Sequence, residues 1–271
     1  ISPDPTYVAY SACTILAGGE FVPVLTHVEN DFQVRPQDVE KKVTGNTKAL
    51  LLGYPNNPTG AVMSREALSA VGEVARKNDL LVISDEIYER LVYDGEHVCF
   101  PTLDGMKERT ILLGGFSKGY AMTGWRVGYA AGPAEVIAAM TKVHQYAMLC
   151  APIMGQMAAL EALRSGDEDS EDMRQDYDRR RRVMVKGLND IGLPCFMPRG
   201  AFYAFPYIRG TGLSIEDFAE KLLLEEKVAV VPGSVFGSAG EGYVRCCYAT
   251  ALPQIEEALG RMSNFVKRRV G

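Results

Sequence analysis

The sequence predicts an α/β fold: a mostly parallel sheet flanked by helices over residues 1–166, with a smaller C-terminal α+β domain over residues 167–271. Two observations carry this. In the first half, short leucine-rich and β-branched runs alternate with amphipathic helical patterns, as in a sheet covered on both faces. Past Pro133 the texture changes to helices rich in alanine and methionine, then to short strands broken by single helices. At 271 residues, 47% hydrophobic and 23% charged, the chain is long enough for a large unit and a smaller one.

The elements follow in order. "EFVPVLT" reads as a strand, "RPQDVEKKV" as a helix and "KALLLGYP" as a strand. "SREALSAVGEVARKND" is an amphipathic helix, with Ser64 as N-cap and Glu66 in the first turn. "LLVISDE", "TILLGGFS" and "VGYAAG" are strands. "AEVIAAMTKVHQYAM" and "PIMGQMAALEALRS" are helices, and "DEDSEDMRQDYDRRRRVMVKGLNDIG" is a long helix ending near Gly192, its acids crowding the N-terminal end as the helix dipole favours. "GAFYAFPYI", "VAVVPGS" and "GYVRCCYA" are strands around the helix "SIEDFAEKLLLEEK", and "PQIEEALGRMSNFVKRRV" closes the chain as a helix. The opening "ISPDPTYVAY" reads as the end of a strand running into a turn, without an initiator methionine, so the chain is expected to be a portion of a longer polypeptide.

Composition excludes several function classes. With 29 basic and 34 acidic residues the net charge is −5, which argues against nucleic acid as the main partner. The run Arg179–Arg182 is expected to be a solvated helix face, paired by Asp176 and Asp178 four residues before an arginine. No apolar run has membrane-spanning length, so no membrane association is expected. The cysteines (Cys13, Cys99, Cys150, Cys195, Cys246, Cys247) form no C-x-x-C pair and read as buried thiols of a cytoplasmic protein. The histidines His27, His97 and His144 stand in unrelated contexts, so no metal site is expected.

Chemistry collects where an open α/β sheet binds its ligands, outside the carboxyl ends of the strands. "KALLLGYPNN" delivers Asn56 and Asn57, "LLVISDEIY" delivers Asp85 and then Tyr88, and "TILLGGFSK" delivers Ser117 and Lys118, with Arg126 near the start of the next strand. One strand-end carboxylate is usually a helix cap and one lysine a solvated loop residue; polar groups on consecutive strand ends are harder to dismiss. A lysine among apolar residues has a destabilised ammonium and can attack a carbonyl. An arginine binds phosphate bidentately, and a carboxylate can face a protonated ring nitrogen. An aldehyde, a phosphate and a basic ring nitrogen together describe pyridoxal 5′-phosphate.

The stretch "GGFSKGYAMTGWRVGYAAGP" resembles the lysine-attachment signature of class I/II aminotransferases, the fold-type-I pyridoxal-phosphate enzymes, with Gly115, Phe116, Ser117, Lys118, Met122, Gly124, Arg126, Val127 and Gly128 at its positions. "MTGWRVGY" looks like the branch of bacterial aspartate and aromatic aminotransferases. "YPNNPTG" resembles the family's asparagine loop, "SDEIYERLVYDG" its Asp-x-x-Tyr strand end and "PTYVAY" the segment with its ring-stacking aromatic; "GAFYAF", "VAVVPGSVFG" and "YVRCCYA" resemble small-domain blocks, all in the family's order. The resemblance implies that Lys118 forms the Schiff base and shuttles the substrate proton, that Asp85 keeps the pyridine nitrogen protonated, and that Asn57 and Tyr88 bond the phenolic oxygen. It implies that Arg126 with Ser117 binds the phosphate, that Tyr7 stacks on the ring, and that Arg245, with Asn57 beside it, binds the substrate α-carboxylate. The serine that some members carry two positions before Ser117 is Gly115 here. Tyr7 has an alternative as a packing residue of a turn, Arg245 as a structural ion pair and Phe202 as either pocket or core; Trp125 is expected to pack.

The resemblance implies an aminotransferase that moves an amino group from an L-amino acid to a 2-oxo acid by a ping-pong cycle, as a homodimer. It also implies that the family's N-terminal portion, with part of the phosphate cup, is absent from this chain. The same residues serve a C–S β-lyase, which needs no 2-oxo acid, and an aminotransferase-like regulatory domain is a further alternative.

Overall fold

The structure, a computed structural model, describes residues 1–270. Strand β1 (Ser2–Asp4) pairs in parallel with β2 (Pro23–Leu25) and lies beside β3 (Ala49–Gly53), where the Ile1 backbone nitrogen donates to the Ala49 carbonyl at 2.9 Å. The largest sheet has the order β3, β4 (Leu81–Asp85), β5 (Thr110–Gly115), β6 (Gly128–Ala131). Its first three strands are parallel, and β6 returns antiparallel to β5.

Between β1 and β2 runs helix α1 (Ala9–Leu16), where the sequence predicts a turn. None of its residues is buried, so no apolar stripe marked it as a helix. Helix α2 (Pro36–Glu40) starts with proline at its first position, and α3 (Arg65–Lys77) is capped as expected, the Ser64 hydroxyl accepting from the Ala67 N–H at 3.2 Å. Leu68, Val71, Val74 and Ala75 of α3 pack with Leu50, Leu52 and Val82 of the sheet into the main core. Helices α4 (Ala134–Ala147) and α5 (Ile153–Ser165) follow, and α6 (Asp167–Asp190) is the longest.

The C-terminal part has a three-stranded antiparallel sheet of order β7 (Tyr203–Ala204), β9 (Val244–Cys247), β8 (Val231–Pro232), covered by α7 (Ile215–Glu226) and α8 (Leu252–Val270). The expected strand "GAFYAFPYI" contracts to Tyr203–Ala204, consistent with Pro206 lacking the N–H that a ladder needs. Helix α6 spans both halves: Met173 packs against Tyr88 and Leu91, whereas Met184, Val185 and Leu188 belong to the core with Phe218 and Phe265. Asp4, on β1, is buried and accepts from the Ser238 and Ala239 N–H groups at 3.0 Å each, tying the first strand to the loop before β9.

Two expectations are corrected. The cysteines are not uniformly buried: Cys246 is, Cys99 and Cys195 are partly so, and Cys13, Cys150 and Cys247 are exposed. The arginine run is not wholly solvated. Arg180 pairs with Asp176 and Arg182 with Asp178, as the spacing predicts. Arg181, however, is 1% exposed, donates to Asp94 and to the Pro198 carbonyl at 2.6 Å each, and lies over the Tyr93 ring. The side chains of a helix point in successive directions, so one member of a basic run faces inward. Removing Arg181 would strand the buried Pro198 carbonyl and empty a buried site: Arg181→Ala is expected to cost about 3 kcal/mol of unfolding free energy in a urea titration, whereas Arg182→Ala leaves the midpoint nearly unchanged.

Candidate active site

The parallel register of β3, β4 and β5 sets Gly53 beside Asp85 and Asp85 beside Leu113. The strands therefore end together, and the loops that leave them line one cavity of about 490 Å³. Tyr7, Asn57, Asp85, Tyr88, Ser117, Lys118, Arg126 and Arg245 all line it, so of the polar residues expected at the rim all but Asn56 are brought together.

Asp85 is the last residue of β4. Its neighbour Glu86 points the other way, where it is held by the Ser84 hydroxyl (2.8 Å), the Phe100 N–H (2.9 Å) and His97 Nε2 (2.6 Å). Burial is the largest influence on the Asp85 carboxyl and raises its pKa; hydrogen bonds from the Tyr10 hydroxyl and the Ile87 N–H oppose it. Tyr10 Oη donates to Asp85 Oδ2 at 2.7 Å, a contact the sequence reading missed. The ring also meets Tyr7 edge to face at 5.6 Å. It fits because position 53 is glycine: a Cβ there would collide with the Tyr10 hydroxyl. The signal was present in "PTYVAY" as a second tyrosine, but nothing in spacing alone tied it to Asp85.

The asparagine loop separates its two amides. Asn56 faces inward, its Nδ2 donating to the Gly53 carbonyl (3.3 Å) and its Oδ1 accepting from the Thr59 hydroxyl (2.8 Å), so it builds the turn and does not serve the rim. The turn closes at Gly60, whose φ of +71° suits glycine, with its N–H on the Asn56 carbonyl at 2.8 Å. Asn57 is left facing the cavity, where its Oδ1 accepts from Arg245 Nη1 at 2.8 Å.

Lys118 sits in the turn after β5, which is anchored from below by Phe116 packed with Met122, Val127 and Ala159. Burial lowers the pKa of its ammonium; repulsion by Arg126 and Arg245 adds to this, and Cys247 opposes it. Its Nζ lies 5.7 Å from the Phe202 ring centroid, which places Phe202 beside the site. Arg126 takes a left-handed conformation at φ +56°, is exposed, and donates to the Thr123 carbonyl at 2.8 Å. Trp125 next to it is 48% exposed, which corrects the expectation that it packs.

Arg245 comes from β9, where Val244 and Cys246 face the core and Arg245 faces the cavity. Its guanidinium carbon lies 4.3 Å from the Tyr203 ring centroid and 4.8 Å from that of Phe236. Its Nε is buried and has no hydrogen-bond partner in the described residues. Tyr88 is buried, and its hydroxyl meets the Tyr203 hydroxyl at 2.9 Å. Burial, the largest cause, pushes its pKa upward.

These donors fit pyridoxal 5′-phosphate. The cavity offers a partly desolvated amine, a partly buried carboxylate, a phenol, an amide and two arginines. Comparison with known proteins agrees. Residues 1–262 match the family model "Aminotransferase class I and II". The chain is 48% identical to an aspartate aminotransferase of Pyrococcus abyssi, the alignment covering 98% of this chain and 69% of that one. It is likewise 48% identical to aromatic-amino-acid aminotransferase 2 of Thermococcus litoralis, over 98% and 69%. The structure superposes on an aromatic aminotransferase from Pyrococcus horikoshii with a TM-score of 0.95 and 48% identity, over 99% of this chain and 73% of that one. The chain belongs to the class I and II aminotransferases, pyridoxal 5′-phosphate-dependent enzymes that transfer an amino group between an amino acid and a 2-oxo acid.

Proposed function

We propose that the cavity at the carboxyl ends of β3, β4 and β5 is where this aminotransferase holds its cofactor, with Lys118 as the attachment and proton-transfer residue. The observation that carries this is the partly buried Lys118 amine, with depressed pKa, in the same cavity as Asp85, Tyr88 and Arg245. Bound there, the cofactor supplies an electron-withdrawing ring that accepts the electron pair left when the substrate Cα–H bond breaks. Lys118 Nζ, its ammonium destabilised by burial, would take the proton from the substrate Cα and deliver it to the cofactor carbon that receives the amino group. Asp85 holds the ring-nitrogen proton, and Tyr10 helps keep its carboxyl ionised despite burial. Asn57 and Tyr88 donate to the phenolic oxygen, Tyr7 covers a ring face, and Arg126 with Ser117 takes the phosphate. Arg245, already oriented by the Asn57 amide and two aromatic rings, forks onto the substrate α-carboxylate.

The same reading extends to the whole molecule. Residues 1–166 form the large cofactor-binding unit and 167–271 the small one. The relatives named for aspartate and for aromatic amino acids are equally similar, so the donor is an acidic or aromatic L-amino acid. A homodimer is supported by exposed apolar residues on α4 and α5, including Val143, Tyr146, Ile153 and Met154. A cytoplasmic location fits the free cysteines; among the described residues, no helix is long and apolar enough to cross a membrane.

Trapping with pyridoxal phosphate and borohydride at neutral pH is expected to label Lys118 ahead of the surface lysines, since its amine is freer at a given pH. Label spread over exposed lysines would contradict the assignment. With cofactor bound, turnover should require a 2-oxo acid, and Lys118→Ala should slow it about 10²–10⁴-fold, the range of a positioned acid–base group. Arg245→Lys loses the bidentate fork, so the KM for the amino acid should rise about 10–100-fold with a smaller change in kcat.

A further inference from the structure

Tyr203 is absent from the roles assigned above, yet it touches both halves of the site. It sits on β7 opposite Cys247 of β9, which places Arg245 diagonally across on the same sheet face. Its hydroxyl lies 2.9 Å from that of Tyr88, and its ring lies under the Arg245 guanidinium at 4.3 Å. Its relative exposure is 7%, so both contacts are made away from bulk water. The ring is itself held by Phe202 at 4.9 Å between centroids, and by Tyr88 at 6.0 Å, nearly perpendicular.

We propose that Tyr203 is a positioning residue that serves the cofactor side through its hydroxyl and the substrate side through its ring. The proposal rests on the reading of the cavity given above. A pair of phenols has one proton each. When Tyr88 spends its proton on the cofactor's phenolic oxygen, its own oxygen can only accept, and Tyr203 is the donor in place at hydrogen-bond distance. Accepting that bond makes Tyr88 a stronger donor. Stronger donation favours the state in which Lys118 Nζ is unprotonated, because negative charge on the phenolic oxygen is then no longer shared with an N–H. The ring acts separately. It holds the Arg245 guanidinium over an aromatic face, with Asn57 fixing one end, so the group has little freedom left to lose when substrate arrives.

Other groups act here too. The titratable and charged groups around Tyr203 are Tyr88, Arg245, Cys247 and Tyr7, and those around Lys118 are Cys247, Arg126 and Arg245. Apart from Tyr88, which loses its partner, removing one hydroxyl leaves each of these groups in place, so the substitution isolates the Tyr203–Tyr88 bond.

The test compares Tyr203→Phe and Tyr203→Leu with the parent chain, all loaded with pyridoxal phosphate, with circular dichroism confirming the fold. The readout for the hydroxyl is the pH midpoint of the bound cofactor's visible absorbance change. Tyr203→Phe should move it upward by about 0.5–1 pH unit, the worth of one neutral hydrogen bond, while leaving the KM for the amino acid unchanged. Tyr203→Leu should show the same shift and also raise that KM about 3–10-fold. A midpoint unmoved in Tyr203→Phe would overturn the role of the hydroxyl. Equal KM values in the two variants would overturn the role of the ring. No cofactor band in the parent chain would instead overturn the reading of the cavity, and this inference with it.

Discussion

The site depends on the parallel register of three strands, which ends β3, β4 and β5 side by side with Gly53, Asp85 and Leu113 in line. Side chains alternate along a strand, so a slip of one residue would exchange the Asp85 face for that of Glu86. The structure resists this on both faces. Glu86 is held by Ser84, Phe100 and His97, and Asp85 by Tyr10 and the Ile87 N–H. The same hydrogen bonds that satisfy two adjacent carboxylates, one buried and one partly so, therefore lock the register that makes them different in kind: one braces the fold, the other faces the cavity.

Around that frame the electrostatics are arranged in pairs of opposed influences. Burial raises the Asp85 carboxyl and the Tyr10 hydroxyl pulls it back, whereas burial and two arginines lower the Lys118 ammonium. Opposed influences of this kind bring an amine toward its neutral form while limiting the rise of a carboxyl in the same cavity. Arg245 is the counterpart for substrate. Its guanidinium is held by two rings and one amide, so part of the ordering cost of binding a carboxylate is met before binding.

Much of this was legible in the sequence, for reasons that separate cleanly. Asp85 ends, and Lys118 and Asn57 follow, strands whose apolar runs are unmistakable, so strand ends can be placed and their polar residues read as a rim. What escaped notice depends on contacts between distant segments. Tyr10 and Tyr203 are tyrosines among others until folding sets one on Asp85 and the other between Tyr88 and Arg245. Asn56 and Asn57 are adjacent and alike, yet the turn claims the first for its own hydrogen bonds. Arg181 belongs to a basic run that spacing assigns to solvent, and only the position of Asp94 and Tyr93 draws it inward. Helix α1 has no buried residue, and so offered no periodicity to read.

The most direct test of the account is a crystal structure of this chain with pyridoxal 5′-phosphate. The account predicts continuous density from Lys118 Nζ to the cofactor, with the ring nitrogen against the Asp85 carboxylate and the phenolic oxygen facing Asn57 and Tyr88. Attachment through another lysine, or a ring whose nitrogen turns away from Asp85, would contradict it.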